Sequence, residues 1–317
     1  MSLVETALQK VRSRGAPEKK RPEAPGATAA PAIERTLDVP TLAPQPAAPV
    51  APVSAPSRVV VIDRERLRAT GMLPPASQDR ELSHQFRAIK RPLIQRSAEP
   101  PAADVSPRTL MISSALPGDG KTFTSLNLAL SLAMERDFRV LLVDADAPKP
   151  HLSRTFGLEG EAGLLDLLAD STRRVESVIY RTDVPQLDLM PAGGGSEAAT
   201  ELLASARMRD VAGRLAALYG RGMVLFDSPP VLLTSESRSL AAFLGQIVVV
   251  VKAGTTPQQA VRDTVQILGQ PARMSLVLNH ADLAGPMGYY YGYRYGYGHA
   301  QQGEGAAPDS PPVQDER

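Results

Sequence analysis

Two groups of residues in this chain have the types and spacing to do chemistry together. The first is Ala115-Leu116-Pro117-Gly118-Asp119-Gly120-Lys121-Thr122, the glycine, lysine and hydroxyl order of a loop that wraps phosphate groups. In such a loop successive backbone N–H groups form an anion nest, and the helix that follows adds its positive N-terminus. Gly118 and Gly120 let the backbone approach phosphates without a Cβ in the way. Lys121 would reach the β- and γ-phosphates of ATP and the Thr122 hydroxyl would ligate Mg²⁺. Pro117, Asp119 and Phe123 complete the stretch expected to contact ATP. Only Ala115 departs from the pattern G-x-x-x-x-G-K-[ST]. The second group is phenolic. Six of the eight tyrosines, Tyr289, Tyr290, Tyr291, Tyr293, Tyr295 and Tyr297, stand in the run G-Y-Y-Y-G-Y-R-Y-G-Y-G. Alone, that run reads as a sticky low-complexity segment. In a chain with a phosphate loop it reads as the acceptor of the chain's own transfer reaction.

Carboxylates supply the rest of the candidate site. Leu141-Leu142-Val143-Asp144-Ala145-Asp146 places two acids just past an apolar run, and Val224-Leu225-Phe226-Asp227-Ser228-Pro229-Pro230 places a third in the same way. Loop acids are often merely solvated. Beside a phosphate loop, Asp144 and Asp146 suit metal coordination and base work, and Asp227 suits holding Mg²⁺ through water. Asn279, at the end of the last apolar run, has two readings that stay open: an amide that bonds adenine, or a turn residue that satisfies backbone.

The elements that must position these residues alternate. Thr109–Ala115 reads as a strand, Lys121–Met134 as a helix, 139–146 as a strand, 163–168 as a short helix and Leu187–Met190 as a strand. A long helix over 199–219, a strand over 223–227, a helix over 235–244, a strand over 246–252, a helix over 257–268 and a strand over 275–279 follow. Alternation of this kind predicts an α/β, three-layer P-loop NTPase fold with a mostly parallel sheet covered on both faces. Ligands then bind at the carboxyl ends of the strands, where the motifs fall. Upstream, Asp79 to about Arg96 has helical periodicity, with Pro92 bending it or ending a first segment. Val59–Ile62 is either a short strand or an extended docking segment. The apolar residues between Met1 and Arg14 recur at helical spacing, either as a short surface-seeking helix or as a frayed end. Residues 15–57 are Pro/Ala-rich with few large apolar side chains, the composition of a disordered linker. Three regions result: 1–57, a kinase-like domain with its docking segment at 58–288, and a tyrosine tail at 289–317.

Composition narrows the choices further. The chain has 317 residues, 43% hydrophobic and 22% charged, with a formal net charge of +1. It has no cysteine, which excludes disulfides, thiolate nucleophiles and thiolate metal sites. The near-neutral charge gives no basic stripe for nucleic acid. No apolar run approaches the roughly 20 residues of a membrane span, so a cytoplasmic protein is expected.

The three nucleotide motifs, in this order and with a C-terminal tyrosine cluster, resemble the P-loop tyrosine kinases of bacterial capsule and exopolysaccharide loci, over about Arg80 to Tyr297. The segment I-D-R-E-R-L-R-A-T-G at 62–71, with R-A-I-K-R-P-L at 87–93, resembles the exosortase-associated autokinases among them. The resemblance implies catalytic roles for Lys121, Asp144 and Asp146, metal binding by Thr122, Asp144 and Asp227, and phosphorylation of the tyrosine cluster between subunits of a ring-like homo-oligomer. It also implies a membrane partner of the chain-length-regulator type, a location at the inner membrane through that partner, and a cognate tyrosine phosphatase. Two departures stand out. Pro148, followed by Lys149, replaces the arginine usual after the second acid. The assembly motif E-x-x-R-x-x-R appears as His84-x-x-Arg87-x-x-Lys90, with Glu81 one turn earlier. The competing expectation is a partner-recruiting ATPase of the MinD or ParA type. Those proteins usually carry an extra lysine where this chain has Leu116, and they lack a tyrosine tail.

Overall fold

The computed structural model describes residues 59–101, 105–194, 198–269 and 273–281. The helix expected near the start, the linker to residue 57 and the tyrosine cluster lie outside the described residues. Of two units, 1–51 and 52–317, the second holds every described residue.

In chain order the elements are α1 (Arg64–Ala69), α2 (Asp79–Ser97), β1 (Thr109–Ser114), α3 (Lys121–Ala133), β2 (Arg139–Asp144), α4 (His151–Thr155) and α5 (Leu164–Ala169). Then come β3 (Tyr180–Arg181), β4 (Leu187–Met190), α6 (Ala199–Leu203), α7 (Ala206–Leu218), β5 (Gly222–Asp227), α8 (Ser235–Ala241), β6 (Gln246–Lys252), α9 (Gln258–Leu268) and β7 (Met274–Asn279). The strands form one sheet in the order β3-β4-β2-β5-β1-β6-β7, parallel except for the β3–β4 pair.

Period-2 alternation sends successive strand residues to opposite faces, and each face has its own core. Met111, Leu141, Val143, Val224, Phe226, Ile247 and Val249 pack on one side, with α5, α7 and α8. Leu110, Ile112, Leu142, Leu225, Val248 and Val250 pack on the other, with Phe86 and Leu93 of α2 and Leu126, Leu128 and Leu132 of α3. Covering both faces is what makes these strands read as continuous apolar runs rather than alternating ones.

At four places the structure is more specific than the sequence reading. Helix α2 runs unbroken through Pro92. The missing N–H costs one backbone bond there, yet burial of Phe86 and Leu93 on α3 holds the helix together. The long helix expected over 199–219 is two, because the Ser205 hydroxyl accepts from the Met208 N–H and starts α7 anew. Strand β3 was not foreseen: two residues are too short to show a period. Finally, of the two readings of Val59–Ile62, the structure shows extended backbone with an isolated bridge rather than a regular strand. The segment makes a single bridge, Val60 to Thr182, with Val60 N donating to Arg181 O at 2.9 Å and Ile62 N to the Asp183 carboxylate at 2.8 Å.

Candidate functional site

The end of β1 leads into the phosphate loop and the end of β2 lies one strand beyond β5, so Ala115–Thr122, Asp144, Asp146 and Asp227 converge at the carboxyl edge of the sheet. Asp144 and Asp227 are register partners across the β2–β5 pair. The loop itself takes left-handed backbone at Gly118 (φ 84°) and Gly120 (φ 95°). Pro117 and Gly118 are exposed at its tip.

Asp119 proves to be an internal strut. It is only 3% exposed. One carboxylate oxygen accepts from the Leu116 N–H at 3.1 Å, and the other from the Thr256 hydroxyl at 2.7 Å, tying the loop to the turn after β6. Asn279 Nδ2 donates to the Asp119 carbonyl at 2.9 Å, so the amide braces this loop from the end of β7. Phe123, in the first turn of α3, packs half-buried against the core on that face. Its backbone stands at the helix N-terminus.

Lys121 sits among three acids. Its Nζ is 2.6 Å from Asp146 Oδ2 in a pair almost wholly withdrawn from solvent, and 3.4 Å from Thr122 Oγ1. Burial alone would lower the lysine pKa, but Asp227, Asp146 and Asp144 outweigh it and the net direction is up. Asp227 is fully buried, and that burial pushes its carboxyl up against the favourable pull of Lys121. Ser125 Oγ lies 2.9 Å from Asp227 Oδ1. The Thr122 hydroxyl stands near Asp227 and favours its charge, yet among the described residues Asp227 Oδ2 is buried without a hydrogen bond of good geometry.

Asp144 is held from α4. Its Oδ2 accepts from both the N–H and the hydroxyl of Ser153 at 2.8 Å, and its Oδ1 accepts from the Asp146 N–H at 3.3 Å. Burial, then the neighbouring Asp227 charge, raises its pKa from the ordinary 3.8 to about 7 against those hydrogen bonds. A raised carboxyl pKa means the folded state holds a proton that the unfolded chain has released between pH ~4 and ~7. Its contribution is therefore complete below pH ~4 and is lost as pH rises through 7. We expect the nucleotide-free protein's Tm to fall between pH 5 and pH 8, and Asp144→Asn to flatten that slope. Thermal melts across the range check it.

Ser153 was missed from sequence, since a serine three residues past a proline carries no motif. Its hydroxyl oxygen also accepts from the Ala192 N–H at 3.0 Å, which links β2, α4 and the end of β4. Ser153→Ala strands that buried N–H and removes one donor from Asp144, a loss of about 1–3 kcal/mol by urea unfolding. Lys149 contributes through its backbone, whose N–H donates to Asp146 Oδ1 at 3.2 Å, while its side chain is exposed. It does not stand in for an arginine at the acids.

Three acids against one lysine leave two negative charges in excess when all are ionised. With the partnerless Asp227 oxygen and the adjacent Thr122 hydroxyl, that donor set fits Mg²⁺, which takes few protein ligands and completes its shell with phosphates and water. Among the described residues no group of three or more His, Cys, Asp or Glu side chains that could hold a metal ion is found.

An anion nest at the carboxyl edge of a mostly parallel sheet, flanked by buried acids, defines a P-loop nucleotide-binding domain, and a family model described as an AAA domain matches residues 108–270. Tyrosine-protein kinase YwqD of Bacillus subtilis is 30% identical over 213 residues, 66% of this chain and 86% of that protein. The chain belongs to this family of bacterial tyrosine-protein kinases. The EpsB protein of Ralstonia nicotianae is 37% identical over 187 residues, 58% of this chain but 24% of that protein, so the match spans about a quarter of the EpsB relatives. Among solved structures, the VpsO kinase domain superposes with a TM-score of 0.53 at 30% identity, covering 66% of this chain and all of that one. The kinase domain of Escherichia coli ETK gives 0.54 at 27% identity, covering 63% of this chain and 77% of that one. Among the described residues no helix is long and apolar enough to cross a membrane.

Proposed function

We propose that this chain is an ATP-dependent protein-tyrosine kinase whose acceptors are Tyr289, Tyr290, Tyr291, Tyr293, Tyr295 and Tyr297 of a neighbouring copy. The observation that carries the reading is the convergence of Lys121 and three buried acids on the phosphate loop, in a chain of this family that also bears a phenol cluster. The loop N–H groups and Lys121 would hold the β- and γ-phosphates, and Thr122, Asp144 and Asp227 would hold Mg²⁺. The metal, when bound, supplies charge neutralisation on the transferring phosphoryl group. A tail phenol oxygen bonds to the γ-phosphorus as the bond to the bridging β–γ oxygen breaks, and ADP leaves. The phenol, with an ordinary pKa of about 10, gives up its proton late to Asp144 or Asp146. Positioning and charge therefore carry the catalysis.

Each phosphotyrosine adds about −1.5 to −2 charges, so several on one short segment repel one another and weaken its hold on a neighbour. The switch between assembled and dispersed copies would serve polysaccharide synthesis and export, with a membrane partner as activator and a phosphatase to reset it. Assembly on the family pattern is altered here. Lys90, at the last position of the assembly motif, is buried, and its Nζ bonds Ser131 O at 2.6 Å and pairs with Glu135 at 2.8 Å within the same chain.

A mixing assay tests transfer between copies. A Lys121→Met chain with all tyrosines is incubated with an active chain whose six tail tyrosines are Phe. Phosphate on the Lys121→Met chain supports transfer in trans. No phosphate on the Lys121→Met chain, while an unsubstituted chain incubated alone phosphorylates its tail at a rate per molecule independent of protein concentration, contradicts it.

A further inference from the structure

A second polar cavity lies away from the nucleotide site, and nothing in the kinase reading uses it. It has a volume of about 320 Å³ and is walled by the loop 171–176 and by Arg214 and Leu218 of α7. Leu218 stands four residues before Gly222, where β5 begins, so this wall lies toward the sheet end opposite Asp227. Three guanidinium groups, Arg173, Arg174 and Arg214, face one lining carboxylate, Glu176, and Asp170 stands beside Arg173 at the edge, leaving one positive charge in excess (three minus two). Arg174 takes Glu176 at 3.6 Å. Arg173 Nε is buried without a hydrogen bond, and the nearest acid, Asp170, is 4.0 Å away with its other oxygen already accepting from the N–H and hydroxyl of Thr172. Leu218, 39% exposed, gives the cavity an apolar side.

Guanidinium forks beside an exposed leucine match a phosphate carried on an aromatic ring better than a free anion, because the fork pairs phosphate oxygens and the leucine covers the ring. Resting on the kinase reading, we infer that this cavity binds a phosphotyrosine of the segment 288–298, so that the product of transfer is held by a kinase domain at a place separate from where it was made. Within the run Tyr297 has glycine on both sides, Gly296 and Gly298, so its phosphorylated ring can enter without bulky neighbours.

The test is binding, independent of catalysis. A synthetic peptide of residues 288–298, with phosphate on Tyr297 or without it, is titrated into the full Lys121→Met chain, which keeps its own tail unmodified. The phosphopeptide should bind at least tenfold more tightly than the plain peptide. Arg173→Ala with Arg214→Ala should remove that difference, and so should Arg214→Glu alone, which lies on the exposed face of α7 and leaves the core untouched. Arg136→Ala with Arg221→Ala, exposed cations elsewhere, should leave it intact. Phenyl phosphate should displace the peptide at lower concentration than inorganic phosphate. Equal affinity of the two peptides, equal loss in both arginine pairs, or equal competition by the two phosphates overturns the assignment. A chain that binds the phosphopeptide yet never phosphorylates itself would overturn the kinase reading and leave the cavity standing.

Discussion

Replacing Lys121 with Met is expected to reduce phosphate transfer to the tyrosine cluster by at least ~10²- to 10³-fold, the scale on which one preorganised charge at a transferring group acts. The lysine has two tasks, and they separate experimentally. In the nucleotide-free protein its ammonium neutralises Asp146 at 2.6 Å and favours the charged forms of Asp144 and Asp227. Removing one partner of a buried pair leaves an uncompensated charge, a cost of about 3–5 kcal/mol before protonation relieves it. Lys121→Met should therefore also destabilise the empty protein, and Asp146→Asn in the same chain should restore much of that stability. It should not restore transfer. A double-mutant cycle of urea midpoints beside initial transfer rates reads both: recovery of activity together with stability would mean the lysine acts only by packing.

Gly120→Ala has the next largest expected effect, on nucleotide affinity. A Cβ at this position would lie 1.9 Å from Asn279 Nδ2, on a backbone whose φ of 95° L-residues rarely adopt. The Asn279 side chain must shift, which breaks its brace to the Asp119 carbonyl. We expect at least a tenfold loss of affinity for a fluorescent ATP analogue. Gly118→Ala provides the contrast: its φ is 84° but no atom lies within 4 Å of the added Cβ, leaving backbone strain of about 1–3 kcal/mol without the collision. The stability cost of Gly120→Ala should shrink in an Asn279→Ala chain, because the obstructing amide is gone. An unchanged cost would place the damage in the backbone alone.

The layered fold and the line of motifs were legible because they rest on short-range rules. Apolar runs ending in Asp144 and Asp227 read as buried parallel strands, and the glycine-lysine-threonine order read as a nest at a helix start. What stayed hidden depends on tertiary partners. Sequence alone leaves the Asn279 amide open between adenine and backbone, and its bond to Asp119 comes from across the sheet, 160 residues away in sequence. Ser153 reaches Asp144 only because α4 folds back over β2. The inward turn of Asp119 toward Leu116 and Thr256 has no periodicity to betray it. Pro92 inside α2 shows local propensity giving way to packing. Pro148 and the buried Lys90 show that a motif position carries a family role only where the side chain reaches the surface or the site that the role requires.

The most direct test of the central claim is incubation of the purified chain with Mg-ATP, followed by mass-spectrometric mapping of phosphate beside the Lys121→Met protein. The account predicts phosphate on tyrosines between Tyr289 and Tyr297 in the first sample and none in the second. ATP hydrolysis with an unmodified tail would contradict it and would make the chain a partner-recruiting ATPase instead.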